Sequence, residues 1–106
     1  MRRALLPSIS LTVALATSAV EARAEVDRAK LGHLVRQDCG SCHGLSLKGG
    51  LGRPLTREAL ADFPRDVVRD IILDGLPGTP MPPWRPLLRI EEAEAIADML
   101  KSGETP

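Results

Sequence analysis

Aromatic side chains are almost missing from this 106-residue chain: Phe63 and Trp84 are the only two, and there is no Tyr. Aromatics normally supply much of the buried area of a small core. A chain this short buries only about 60% of its unfolded surface, so something other than its own side chains is expected to fill the middle. Charge of one sign is missing too, with 14 Lys+Arg against 14 Asp+Glu. That balance excludes a basic face for a nucleic-acid backbone, and the shortage of aromatics excludes a stacking platform for single strands. Two cysteines exclude a disulfide framework, and the length excludes a multidomain enzyme. No β-hairpin signal, internal repeat or low-complexity stretch is present. With 43% apolar and 26% charged residues, the composition is that of an ordinary globular domain rather than a disordered one.

Arg2 and Arg3 precede an uncharged stretch, Ala4 to Ala19, and Ala22-Arg23-Ala24 follows. A basic start, an apolar middle and a small-x-small end read as a secretory signal over residues 1–24. The other reading of the same residues is an uncleaved anchor. The stretch is short, and rich in Ser, Thr and Pro for a membrane span. Cleavage before Glu25 leaves a domain of residues 25–106 with 11 basic and 13 acidic side chains. A mildly acidic, soluble protein of a Gram-negative-type periplasm is expected, without stable membrane insertion.

Val26 to Asp38 reads as a first helix with Leu31, Leu34 and Val35 on one face. Residues 44–55 form a Gly-rich loop, and Thr56 is placed to cap a short helical piece, Arg57–Ala61. Pro64 opens a further helix carrying Val67, Val68, Ile71 and Ile72 as its buried stripe, with Gly75 as a left-handed cap. Five prolines between Leu76 and Pro86 exclude helix and central strand there and predict a stiff, extended loop. The last helix, Ile90 to Lys101, is expected to bury Ile90, Ala93, Ile96, Ala97 and Leu100. The fold class is therefore all-α, with three to four helices.

The two cysteines lie in Cys39-Gly40-Ser41-Cys42, and His43 follows at once. C-x-x-C-H is the attachment signature of haem c. Two thiols at this spacing reach the two vinyl groups of one haem as thioethers, and the adjacent His lies beneath the iron. The porphyrin would then be the missing core. A redox-active dithiol expects a βαβ context, and a zinc site expects a fourth ligand and usually a second Cys pair. Neither is present in the sequence. For the second axial position Met81 is the candidate: it sits among Pro80, Pro82 and Pro83, where a stiff backbone loses little entropy on ligation. The alternative for Met81 is core filler. Met99 reads as helix packing or partial exposure, and His33 as a surface residue.

Taken together, CGSCHG (39–44), GGLGRPL (49–55), ILDGLPGTPMPPW (72–84) and EAEAIADML (92–100) resemble a small class I monohaem cytochrome c. Within that family the loops resemble the c-type cytochromes encoded with the cd-type nitrite reductase of denitrifying bacteria. The resemblance implies three to four helices around one covalently attached haem, with His43 and Met81 as iron ligands. It also implies that the carbonyl of Pro54 accepts the imidazole N–H and that Leu55 packs on the porphyrin. Trp84 either donates its indole N–H to a propionate or fills the core. Met99 stands where many relatives carry an aromatic residue, and Arg89 where many start the last helix with Ser or Thr. The implied function is electron transfer without substrate chemistry, by a monomer. A membrane quinol-oxidising complex would lie upstream and cd-type nitrite reductase would be the acceptor. Leu45, Leu47, Pro82 and Pro83 are expected as the apolar rim, with Lys48, Arg53 and Arg85 steering at longer range. The alternative is an accessory factor in haem d biosynthesis; a gas sensor or small peroxidase would need an open iron, which Met81 opposes.

Overall fold

The computed structural model describes residues 24–104. The expected secretory segment lies outside the described residues apart from Ala24. Among the described residues there is no strand. The first helical stretch consists of α1 (Arg28–Leu34), a π-helical turn (Val35–Cys39) and α2 (Gly40–His43); α3 (Arg65–Asp74) and α4 (Ile90–Ser102) follow.

Helix α1 starts two residues later than the apolar pattern suggests, because Asp27 is its N-cap: its carboxylate accepts from the Lys30 amide at 3.0 Å. Its end carries the more consequential difference. The Gly40 amide reaches back five residues to the Val35 carbonyl, so the turn holds one residue more than an α-turn. An uninterrupted α-helix would put Cys39, four residues after Val35, on the same face as Val35. One extra residue shifts everything after it by about 100°. Val35 therefore stays fully buried, while the cysteine pair turns to a different side of the segment.

Residues 57–62 form turns rather than the expected short helix, although Thr56 does cap them, its hydroxyl accepting from Ala59 N at 3.2 Å. Six residues hold too few intrahelical bonds to outweigh helix nucleation. Lys101 of α4 takes over their carbonyls instead, donating from Nζ to Leu60 O at 2.9 Å and to Phe63 O. Each such charge-assisted bond contributes roughly 1.5–3 kcal/mol.

The core joins Leu31 and Val35 to Val68, Ile72 and Leu73 of α3, and to Ala93, Ile96, Ala97, Met99 and Leu100 of α4. Three expected core positions lie outside it: Val67 is 39% exposed, Ile90 is 50% exposed and Ile71 is half-buried. Val67 and Ile90 sit at the edge of their stripe, and α3 buries Leu73 in place of Val67. Leu47, expected at the rim, is buried, with φ of 60°. Its carbonyl accepts from Leu55 N at 2.9 Å and its amide donates to Gly44 O at 2.8 Å, which folds the Gly-rich loop around it. Arg65 pairs bidentately with Asp98, and Arg69 reaches Glu94 at 3.3 Å, tying α3 to α4. At the start of α4 the Glu92 carboxylate accepts from the Arg89 amide at 2.8 Å, so this helix is capped from its third residue without Ser or Thr.

The proline-rich loop is bound to the end of α3. Trp84 N donates to Ile72 O at 3.1 Å, Arg85 N to Leu73 O at 3.0 Å, and the Arg85 guanidinium grips Asp74 bidentately at 2.8 and 2.9 Å. Gly75 leaves α3 with φ 68° and ψ −171°. That is a mirror-extended conformation open essentially to glycine alone, rather than the expected left-handed helical cap.

The Arg85 hydrogen bond holds the Asp74 carboxyl below its ordinary 3.8. A carboxyl depressed on folding adds stability above its unfolded pKa and loses it as pH falls through the folded value. The variant Asp74→Asn should therefore be less stable than the parent at neutral pH. The difference should shrink below about pH 4 and vanish once Asp74 is protonated in the folded parent. Thermal midpoints of both proteins from pH 7 downward check this; a gap independent of pH would show that the carboxylate charge does not hold the loop.

Candidate functional site

Between α2, α3, the proline-rich loop and the inner face of α4 lies a cavity of about 650 Å³. Its walls are mostly apolar, with Ile96 and Leu100 of α4, Val68 and Ile72 of α3, and Leu60 and Phe63 of the turns. The volume falls in the range of small-molecule and cofactor sites, roughly 300–1,000 Å³. Cys39, Cys42, His43, Leu55, Met81 and Trp84, all predicted site residues, line this one cavity. Met99 instead is buried in the core, 2% exposed, and His33 faces solvent; neither lines the cavity.

The His43 ring is fixed on two sides. Its Nδ1 lies 2.7 Å from the carbonyl of Arg53. A carbonyl only accepts, so in the neutral ring Nδ1 carries the proton and Nε2 keeps its lone pair. The predicted acceptor was the carbonyl of Pro54, and the structure corrects it by one residue. The reason lies in the proline itself. Pro54 confines the residue before it to extended backbone, which aims the Arg53 carbonyl, while its own ring packs against Gly49. The other face of the imidazole rests on Gly52, where a Cβ would lie 2.7 Å from both His43 Cε1 and Nδ1. Sequence reading passed over Arg53 and Gly52 as site residues. The signal available was the Gly-Arg-Pro run, in which glycine admits a close neighbour and proline orients the preceding peptide.

Met81 also rests on a glycine. A Cβ at Gly75 would come within 2.6 Å of the Met81 carbonyl oxygen. That carbonyl accepts from Leu76 N at 3.3 Å, and the Met81 amide donates to the Thr79 hydroxyl at 3.3 Å. Thr79 in turn donates to Leu76 O at 2.7 Å, so the backbone on both sides of Met81 is held. Trp84 is half-buried at the cavity wall, and its indole N–H makes no hydrogen bond among the described residues. Both roles predicted for it therefore remain available.

Cys39 and Cys42 are both free thiols. Burial pushes the Cys39 thiol up to about 11, with the Asp38 charge adding to the shift. A redox dithiol needs a depressed thiol pKa, and the opposite holds here. Among the described residues no three His, Cys, Asp or Glu side chains gather as a structural zinc site would require. Two thiols, one imidazole with a free Nε2 and one thioether around a large apolar cavity fit a haem, whose iron takes His and Met ligands. Arg53 completes the wall: its guanidinium carbon stands 4.8 Å from the centroid of the Phe63 ring, a cation–π contact worth about 0.5–1 kcal/mol at an exposed site. The rim differs from the expected one. Leu51, 79% exposed, and Leu76, 44% exposed, stand at the cavity wall, whereas Leu47 is buried and Leu45 lies off the cavity.

Residues 27–100 match the family described as "Cytochrome C oxidase, cbb3-type, subunit III". The chain is 55% identical over 96 residues to "Cytochrome c55X" of Paracoccus denitrificans (strain Pd 1222), covering 90% of this chain and 93% of the relative. Among solved structures it is similar to "c-type cytochrome NirC", with a TM-score of 0.72 and 52% identity over 74% of this chain and 94% of the other. A second solved structure, "Dihydro-heme d1 dehydrogenase NirN in complex with DHE", is similar at a TM-score of 0.62 and 35% identity. That likeness covers 67% of this chain but 16% of the much longer one.

A methyl group at position 52 would strike the imidazole. Gly52→Ala should lose roughly 1–3 kcal/mol in urea unfolding, the usual range for overpacking, and should displace the His43 ring from the Arg53 carbonyl. A crystal structure of the variant with the 2.7 Å contact intact would show that the glycine does not seat the ring.

Proposed function

The chain belongs to the c-type cytochromes, and from that membership we propose that it is a periplasmic haem c electron carrier serving cd-type nitrite reductase in denitrification. The observation that carries the reading is the single apolar cavity lined by Cys39, Cys42, His43 and Met81, with the imidazole already held in the Nδ1–H tautomer. When bound, haem supplies a one-electron ferric/ferrous couple. Cys39 and Cys42 would hold it through thioethers, and His43 would offer its Nε2 lone pair to the iron. The Nδ1–H bond to Arg53 holds the ring against rotation and makes it the more basic donor. Met81 would offer its sulfur as a further ligand, and a thioether paired with imidazole would raise the potential and favour the reduced form. Ligation by both His43 and Met81 would leave the iron no open position for a substrate, as a carrier requires.

The walls supply the rest. Leu55, Ile96 and Leu100 would exclude water, and the Trp84 indole N–H would be available to donate to a propionate. Leu51, Leu76 and the prolines beside Met81 bring an apolar edge to the surface, suited to small and transient redox encounters. An export signal over residues 1–24 would direct the domain to the periplasm, and no helix among the described residues is long and apolar enough to cross a membrane. Electrons would arrive from a membrane quinol-oxidising complex. A second reading draws on the likeness to the NirN structure: a domain of this kind accompanies haem d1 chemistry there, so this chain would accept electrons during cofactor assembly.

Stopped-flow mixing of the reduced protein with cd-type nitrite reductase plus nitrite separates the two readings. Oxidation within the enzyme's turnover time, slowed by salt as steered encounter requires, is the expected result. No transfer on that timescale would remove the carrier role for this acceptor. In parallel, Met81→Ala should keep the covalent haem and lose the long-wavelength thioether-to-iron absorption band; a retained band would assign the ligand elsewhere.

A further inference from the structure

The imidazole of His43 is oriented by one hydrogen bond, and its acceptor lies in a loop. Two backbone bonds flank that acceptor, from Gly52 N to Cys42 O at 2.8 Å and from Leu55 N to Leu47 O at 2.9 Å. Between them stands Arg53, whose exposed side chain lies over a ring. Its guanidinium meets no carboxylate among the described residues; its partner is the face of Phe63, 4.8 Å away. Phe63 is anchored in turn, its amide donating to Leu60 O at 3.1 Å and its carbonyl accepting from Lys101 Nζ. A continuous set of contacts thus runs from α4 through Lys101, Phe63 and Arg53 to His43 Nδ1.

We infer that Arg53 is a positioning residue for the axial imidazole, its guanidinium stacked on Phe63 holding the loop so that its own carbonyl keeps the His43 N–H. The inference rests on the proposal that His43 is an iron ligand. A surface arginine gives up several rotatable bonds when it is held in one place, and here the ring contact is the attraction that opposes that loss. Lysine is a weaker substitute, because an ammonium retains the charge over the ring but not the planar stacking.

The readout is solvent exchange of the His43 Nδ1–H, followed by NMR in the reduced, haem-loaded protein, with the amides of Ile96 and Ala97 as internal controls. Removing a contact of this kind should speed local opening by about two- to fivefold. Arg53→Met and Phe63→Leu should both accelerate exchange at His43 by that factor and leave the α4 amides unchanged, with Arg53→Lys between them and the parent. Exchange at the parental rate in both Arg53→Met and Phe63→Leu overturns the inference. Equal acceleration at His43 and at the α4 amides also overturns it, since that marks a general loss of stability. A parent protein that attaches haem but shows no His43 N–H bonded in this way removes the ligand assignment itself. That result is distinct from a parent with a protected N–H whose variants do not change.

Discussion

Three helices from so short a chain do not supply enough side-chain volume to close on one another, and the space left between them governs the rest of the structure. The cavity measures about 650 Å³. Protein alone leaves the apolar side chains that line this space without packing partners. The scarcity of aromatic residues and the size of the cavity are two sides of one fact: the haem expected of a c-type cytochrome is part of the hydrophobic core. The cavity-lining residues would then serve packing and cofactor binding together.

The chain uses glycine where another protein would use a shaped side chain. Gly52 lies against the His43 ring and Gly75 against the Met81 backbone, each at a distance that no Cβ would permit. The two residues at the centre of the site are therefore seated on bare main chain, which has no rotamers to lose and no side chain to rearrange. Around them the restraints are short and local: a proline aiming the carbonyl before it, a threonine hydroxyl bridging its own loop, and an aspartate clasping Arg85. A thioether is a weak ligand, so a loop held in place beforehand would favour the ligation proposed for Met81.

The π-helical turn serves the same end from the other direction. α1 must present Leu31 and Val35 to the core, while the next turn must present Cys39, Cys42 and His43 to the cavity. Regular α-helix would align the two sets on one face. A single extra residue separates them, so one unbroken helical stretch meets both demands.

The sequence by itself determined the chemistry and the class. Cys39, Cys42 and His43 are adjacent in the chain, so their convergence on one group needs no folding to be seen. Helical periodicity marked α3 and α4 to within a residue or two, and the prolines around Met81 marked its loop as stiff. Other features depended on contacts between residues far apart in the chain. Which carbonyl holds His43 was decided by the path of residues 52–54, and periodicity says nothing about loop paths. That Val67 and Ile90 face solvent while Leu47 is buried was decided by where α3, α4 and the Gly-rich loop meet. The same holds for the ring of Phe63 beneath Arg53 and the reach of Lys101 to Phe63, 38 residues earlier. Local pattern fixes what each segment can be; only the packing of distant segments sets which atom faces which.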